Sequence, residues 1–302
     1  MRKFLLQVCL LFFSGGLLLI GTPIFAGSEV GFTPDQVKNI EGIVHNYIVK
    51  NPEVLIEAGR AFQEKNFKKM TQLATTNAKN YHNQLVNPDG AIILGDPNGS
   101  TSVVLMYDYL CGGCRIVHNS ILNIIKTNKN LRVVLIQLPL NKISDTLARI
   151  ALAANDQGKF DEFDKVAIAF NPDEKTSRES LLNSIADKTS LDMNKVNDFI
   201  ANSDQANQGQ NKGSGEKDDI IKNNYALYNK ILPNYPIQTP MIFVTATKGD
   251  SSSPVMFFPG AASESDLTNA IQRISGSVAT TSSDKSNPIS ISQETANSQE
   301  TE

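Results

Sequence analysis

The sequence predicts an α/β fold: a mixed sheet interrupted by a block of helices and preceded by a separate helical segment. Three observations carry this. Short apolar runs fall at residues 91–94, 102–108, 131–138, 241–245 and 254–258, each of strand length and bounded by polar or turn residues. Between residues 144 and 231 the apolar positions instead recur every three or four residues, the period of a helix. Finally, Cys111-Gly112-Gly113-Cys114 stands where the second run ends and a helical pattern begins.

The 302 residues suffice for one large domain or two small ones. With 28 basic and 31 acidic side chains, the net charge is −3, so nothing suggests a nucleic-acid-binding surface. Arg2 and Lys3, a mostly apolar stretch over residues 4–20 and the segment Thr22-Pro23-Ile24-Phe25-Ala26 read as a secretory signal over residues 1–26, cleaved after Ala26. A retained membrane anchor fits less well, because the run is short and broken by Gln7 and Ser14-Gly15-Gly16. Cys9 lacks the preceding small residues of a lipidation site. Export predicts a periplasmic protein, with outer-membrane association as a further option.

The elements follow in order. Thr33-Pro34-Asp35-Gln36 is a helix start, with Thr33 and Gln36 spaced as a capping box. Val37, Ile40, Val44 and Tyr47 share one helical face, and after Asn51-Pro52-Glu53 the stripe resumes with Leu55, Ala58, Phe62, Phe67, Met70 and Leu73. This stripe must be covered, either by its own domain or by another subunit. A helical arm over residues 27–86 has few intramolecular surfaces, which favours a homodimer or homotrimer formed through residues 33–85. Asn87-Pro88-Asp89-Gly90 is a turn, and the main domain begins there at residue 87. The strand, helix and strand over residues 102–138 form a unit that implies parallel pairing. Its helix places Cys114, Val117, Ile121 and Ile124 on one buried face and leaves Cys111 at the exposed start. The first part of the main domain is residues 87–143, the helical insertion 144–232 and the second part 233–275. Within the insertion, residues 202–219 read as an exposed polar loop. Ser263 and Asp266 open a last helix, and residues 276–302 read as a disordered polar tail.

Once the signal is removed, Cys111 and Cys114 are the only cysteines. Two thiols three residues apart make no structural framework, so their pairing argues for redox work. A cysteine at a helix start tends to be a thiolate, the form that attacks disulfides, and a second thiol one turn on can release the mixed disulfide. An inert disulfide at this spacing adds little by loop closure. Cys111, Cys114 and His118 can share a helix face, but zinc wants a fourth ligand, and no metal or other cofactor is assigned. Asp108 is a candidate for tuning a cysteine or moving a proton, with a strand-end capping carboxylate as the plainer reading. His118 is most simply a partly buried helix residue.

The stretch Tyr107-Asp108-Tyr109-Leu110-Cys111-Gly112-Gly113-Cys114, the insertion start around Gly158-Lys159-Phe160, and Thr239-Pro240-Met241-Ile242-Phe243-Val244 together resemble the DsbA-like family of exported thiol–disulfide oxidoreductases. The resemblance covers residues 88–275, and the arm is similar to that of oligomeric members. It implies a thioredoxin-like fold with an inserted helical domain and Cys111 and Cys114 as the catalytic pair. It also implies a cis bond before Pro240, with Thr239 beside Cys111, and an adjacent strand edge that binds unfolded clients. A membrane redox partner and exported protein clients are implied as well. The implied activity is formation or isomerisation of disulfides; the alternative is an envelope or surface interaction protein in which redox work is secondary. Two departures stand out: glycine at both positions between the cysteines, and Gln238 before Thr239 where many members have glycine.

Overall fold

The computed structural model describes residues 31–173, 175–207 and 220–283. The signal segment and residues 284–302 lie outside them. The chain divides into two compact units, one ending at Ala61 and one beginning at Phe62.

The first unit consists of helix α1 (Pro34–Lys50) and the start of α2 (Glu53–Asn80). The capping box forms as the sequence predicts. The Gln36 N–H donates to Thr33 Oγ1 at 3.3 Å, and the Thr33 N–H donates to Gln36 Oε1 at 2.8 Å. The helix stops at Asn51, whose backbone and side-chain N–H groups both close onto the Tyr47 carbonyl. No residue of α1 is buried. Val37, Ile40, Ile43, Val44, Tyr47, Leu55 and Ile56 are all exposed. Isolated exposed apolar side chains are normal on a protein surface, whereas a run of them along successive turns is the mark of a binding face.

The second unit is built on a five-stranded sheet in the order β1-β3-β2-β4-β5, with β1 at Ile92–Gly95, β2 at Thr101–Tyr107, β3 at Leu131–Gln137, β4 at Met241–Ala246 and β5 at Val255–Pro259. β2 and β3 are parallel, joined by helix α4 (Gly112–Thr127). The other pairs are antiparallel. The central strands are apolar on both faces because both faces are covered. Val103, Leu105, Tyr107, Leu131, Val133, Leu135, Ile242 and Val244 face one core, which α4 and α10 (Glu264–Ser283) share with the insertion helices. Val104, Met106, Val134, Ile136, Met241 and Phe243 face the other.

The second face corrects the reading of the arm. From Met70 onward, α2 buries Met70, Ala74 and Ala78 on the sheet, and α3 (His82–Val86) adds Leu85 and Val86. Burying one leucine of this kind contributes about 1.5–3 kcal/mol. His82 Nε2 lies 2.9 Å from the Ala246 carbonyl, which ties α3 to the end of β4. The apolar stripe of residues 33–85 therefore has two fates: its later part is core of its own domain, while Phe62 and Phe67 stay exposed like the residues of the first unit.

The insertion comprises α5 (Lys142–Asp156), α6 (Phe160–Ala169), α7 (Arg178–Lys188), α8 (Met193–Asn207) and α9 (Ile220–Ile231). α5 is buried along most of its length. α9 turns Leu227, Tyr228 and Ile231 onto the second face of the sheet. Two expectations need correction. α8 runs to Asn207, through the first part of the stretch read as a loop, and the rest of that stretch lies outside the described residues. α10 continues past Ser275 to Ser283, where the sequence places a disordered tail. In both cases a buried apolar turn starts the helix, Val196 and Ile200 in α8 and Leu267, Ile271 and Ile274 in α10, and each further residue adds a hydrogen bond without a new nucleus.

Candidate active site

The end of β2, the start of α4 and the loop before β4 meet at one end of the sheet's central strands. Cys111 is the N-cap of α4, with extended backbone angles. Its N–H donates to the Asp108 carbonyl at 3.1 Å. The Cys114 N–H points back at Cys111 Sγ at 3.4 Å. An N–H aimed at a sulfur from the first turn of a helix favours negative charge developing there. Cys111 is half-buried; Cys114 is fully buried, on the stripe with Val117, Ile121 and Ile124. Both are free thiols. Burial pushes the Cys114 thiol up, and the opposing contacts of the Asp108 backbone and the Thr239 hydroxyl do not offset it. The two sulfurs thus have unequal surroundings, one reachable at a helix start and one sealed behind it.

The Thr239–Pro240 peptide bond is cis. The Cys111 thiol donates to the Thr239 carbonyl at 3.3 Å, so the loop stands directly against the exposed sulfur. The Gly260 N–H holds the Pro240 carbonyl at 2.9 Å, which anchors this loop to the end of β5. Gln238, the departure from the usual glycine, reaches across to Met70 Sδ at 3.5 Å. The glycines between the cysteines differ. A Cβ on Gly112 would meet open space, but one on Gly113 would come within 3.2 Å of Pro240 Cδ and 3.5 Å of Ala261 Cβ. Glycine at 113 lets the proline loop approach the helix start closely.

Asp108 is almost fully buried and its two oxygens are both spent on backbone. Oδ1 accepts from the Leu110 N–H and Oδ2 from the Leu140 N–H, each at 2.6 Å. It clamps the loop carrying Cys111 to the loop after β3. This is the plainer capping role, extended to a second loop.

The structure also gathers residues that the sequence did not connect. His118, expected to be partly buried, is sealed at 1 % exposure, and its Nε2 lies 2.7 Å from Asp164 Oδ2 on α6. Tyr109 donates its hydroxyl to the other Asp164 oxygen at 3.3 Å. The Tyr107 ring sits 4.8 Å from that of Tyr109 and 5.7 Å from that of His118. Arg115 donates to the Tyr109 carbonyl at 2.7 Å and to the Phe170 carbonyl. His118 and Asp164 are 46 positions apart, so no local spacing could have paired them. Among the described residues no group of three or more His, Cys, Asp or Glu side chains is arranged to hold a metal ion.

The class that this fold and site define is the thioredoxin-like fold carrying a Cys-x-x-Cys pair at the start of its first sheet-covering helix. A family model described as the copper resistance protein ScsC N-terminal domain matches residues 36–68, which cover most of α1 and the beginning of α2. Among solved structures, the chain is similar to a thioredoxin-like oxidoreductase from Silicibacter pomeroyi at 27% identity and a TM-score of 0.50, covering 63% of this chain and 95% of that one. BcfH from Salmonella enterica Typhimurium shares the fold at 18% identity and a TM-score of 0.57, over 80% and 96% of the two chains. The thiol–disulfide exchange protein alpha-DsbA2 from Wolbachia pipientis does so at 23% identity and a TM-score of 0.52, over 67% and 96%. No curated protein sequence matches. The chain resembles the DsbA-like thiol–disulfide oxidoreductases, and the likeness to the thioredoxin-like oxidoreductase at 27% identity supports a thioredoxin-like redox role.

Proposed function

We propose that this chain is an exported thiol–disulfide interchange protein that forms or isomerises disulfides in secreted or envelope proteins. The carrying observation is the inequality of the pair. Cys111 Sγ stands half-exposed at the N-cap of α4 and against the Thr239 carbonyl, with Cys114 buried one turn behind. In this reading Cys111 forms the mixed disulfide with a client and Cys114 resolves it. Thr239 and Pro240 present the backbone against which an extended client segment pairs, giving affinity with little sequence preference. Asp108 holds the geometry rather than tuning a thiol. Residues 1–26 direct export to the periplasm, where a membrane redox partner resets the pair. Among the described residues no helix is long and apolar enough to cross a membrane.

Self-association belongs to the exposed part of the apolar stripe. Val37, Ile40, Val44, Tyr47, Leu55 and Phe62 recur along the arm and are all exposed among the described residues. A homodimer or homotrimer would cover them. The same face supports the second reading, an envelope interaction protein in which redox work is secondary.

One experiment tests both. The full chain and a chain lacking residues 31–61 are compared for molecular mass in solution and for refolding of a client with scrambled disulfides. The full chain should be oligomeric and catalyse refolding; the shortened chain should be monomeric, because residues 62–283 keep their own core. An unchanged mass in the shortened chain would contradict the arm's role. A full chain that neither oxidises dithiols nor reshuffles scrambled disulfides would contradict the exchange reading.

A further inference from the structure

Behind the cysteine pair lies a buried polar cluster that the exchange chemistry above does not use. Tyr107 ends β2, and Gln137 stands opposite it in the parallel register with β3, on the face that carries α4. His118 lies one turn beyond Cys114 on α4, and the i to i+4 spacing puts both on the same side of that helix. Four atoms here are buried without a hydrogen-bond partner: the Tyr107 hydroxyl, His118 Nδ1, and the Gln137 side-chain nitrogen and oxygen. Native cores satisfy nearly all such groups, so several together on one face call for an explanation.

Cys114 supplies the need. It is fully buried, so bulk water does not reach it to accept its proton. Yet it must lose that proton to attack. The nearby groups divide into those already committed and those still open; the Thr239 hydroxyl beside Cys114 is also unpartnered, but an alcohol is too weak a base to hold a thiol's proton. Asp108 is spent on two backbone N–H groups, and Arg115 on two carbonyls. Asp164 receives both His118 and Tyr109. A carboxylate fixed on one nitrogen of an imidazole sets its tautomer and supports the imidazolium, which leaves the other nitrogen as the acceptor. That other nitrogen, Nδ1, is one of the four unpartnered atoms. The Tyr107 ring lies 5.7 Å from that of His118, and its phenol, raised first by burial, also feels the charges of Asp164 and Cys114.

We infer that the His118–Asp164 pair is the seat to which the Cys114 proton passes when that thiol resolves a mixed disulfide, and from which it returns in the reverse direction. This rests on the exchange reading above. In the step, the Cys114 thiol gives its proton to His118, whose imidazolium is held by Asp164. The Cys114 thiolate attacks the Cys111 sulfur, forming the Cys111–Cys114 bond and breaking the bond from Cys111 to the client sulfur. The client sulfur leaves with the electron pair and takes up a proton. The two protein thiols are oxidised and the client disulfide is reduced.

The test uses the reduced full chain and oxidised glutathione, which separates the two steps. Cys111 first captures glutathione as a mixed disulfide; Cys114 then releases it. His118→Gln keeps a donor for Asp164 but holds no proton, and Asp164→Asn keeps an acceptor for the ring but loses the charge that supports the imidazolium. In both variants the mixed disulfide should accumulate, with resolution slowed by about tenfold or more at neutral pH while capture is unchanged. Resolution should also rise more steeply with pH than in the parent, because solvent base then takes the proton. Resolution at the parent rate in either folded variant would overturn the proposal. So would an equal slowing of capture and resolution, the mark of a packing defect. If the parent chain forms no mixed disulfide at Cys111, the exchange reading itself fails and this proposal falls with it.

Discussion

Replacing Cys111 with serine is expected to reduce dithiol oxidation and scrambled-client refolding by roughly three orders of magnitude or more, to the uncatalysed background. The effect is large because the step has no substitute nucleophile. Cys111 is the sulfur at the helix start, beside the cis-bonded Thr239–Pro240 segment and reachable from solvent. Cys114, fully buried and with its thiol pushed up by that burial, cannot take over the attack on a client disulfide. A serine hydroxyl at 111 keeps the size and the capping geometry of the side chain but does not form a mixed disulfide. The structural consequences should be small, so circular dichroism and the unfolding midpoint serve as controls. Retained activity in this variant would show that the redox pair is incidental and would favour the interaction-protein reading.

The second large effect is on stability. Asp108→Ala removes two charge-assisted hydrogen bonds of 2.6 Å, to the Leu110 and Leu140 N–H groups, from a nearly inaccessible site. The loss is expected to cost about 2–4 kcal/mol. The lower end applies if the Leu140 N–H falls back wholly on Ser144 Oγ, to which it already donates at 3.1 Å. Asp108→Asn keeps one acceptor and should cost less than alanine. Urea unfolding monitored by tyrosine fluorescence measures both. A change below about 0.5 kcal/mol for alanine would mean that the clamp does not hold the two loops.

Much of this site was readable from local pattern. The strand-to-helix switch at Cys111, the buried side of α4 and the parallel β2–β3 pair follow from periods of two and of three to four residues, because those periods are set by backbone geometry alone. The unequal environments of Cys111 and Cys114 follow from the same count. What local pattern could not supply was the identity of the surface each stripe meets. The run from Val37 to Leu73 looks uniform in sequence, yet Met70 begins the segment that packs on the sheet while Phe62 and Phe67 remain outside. Nor could it supply pairings across the insertion: His118 on α4 meets Asp164 on α6 only through the tertiary fold. In the sequence Gly113 stands out only as a departure from the family pattern. In the structure it is a point of close approach, where a Cβ would stand 3.2 Å from Pro240 Cδ and the proline loop would have to give by a few tenths of an ångström. The polar ends of α8 and α10 depart from the sequence expectation because composition reports burial, whereas a helix already nucleated by its apolar first turns adds one hydrogen bond per further residue.

The central claim is that the two thiols are unequal, one attacking and one sheltered. Its most direct test is competitive alkylation of the reduced chain by iodoacetamide at neutral pH, with each cysteine's labelling followed by peptide mass spectrometry over time. The expected result is rapid labelling of Cys111 with Cys114 protected until the protein is unfolded. Equal labelling of the two, or faster labelling of Cys114, would contradict the account.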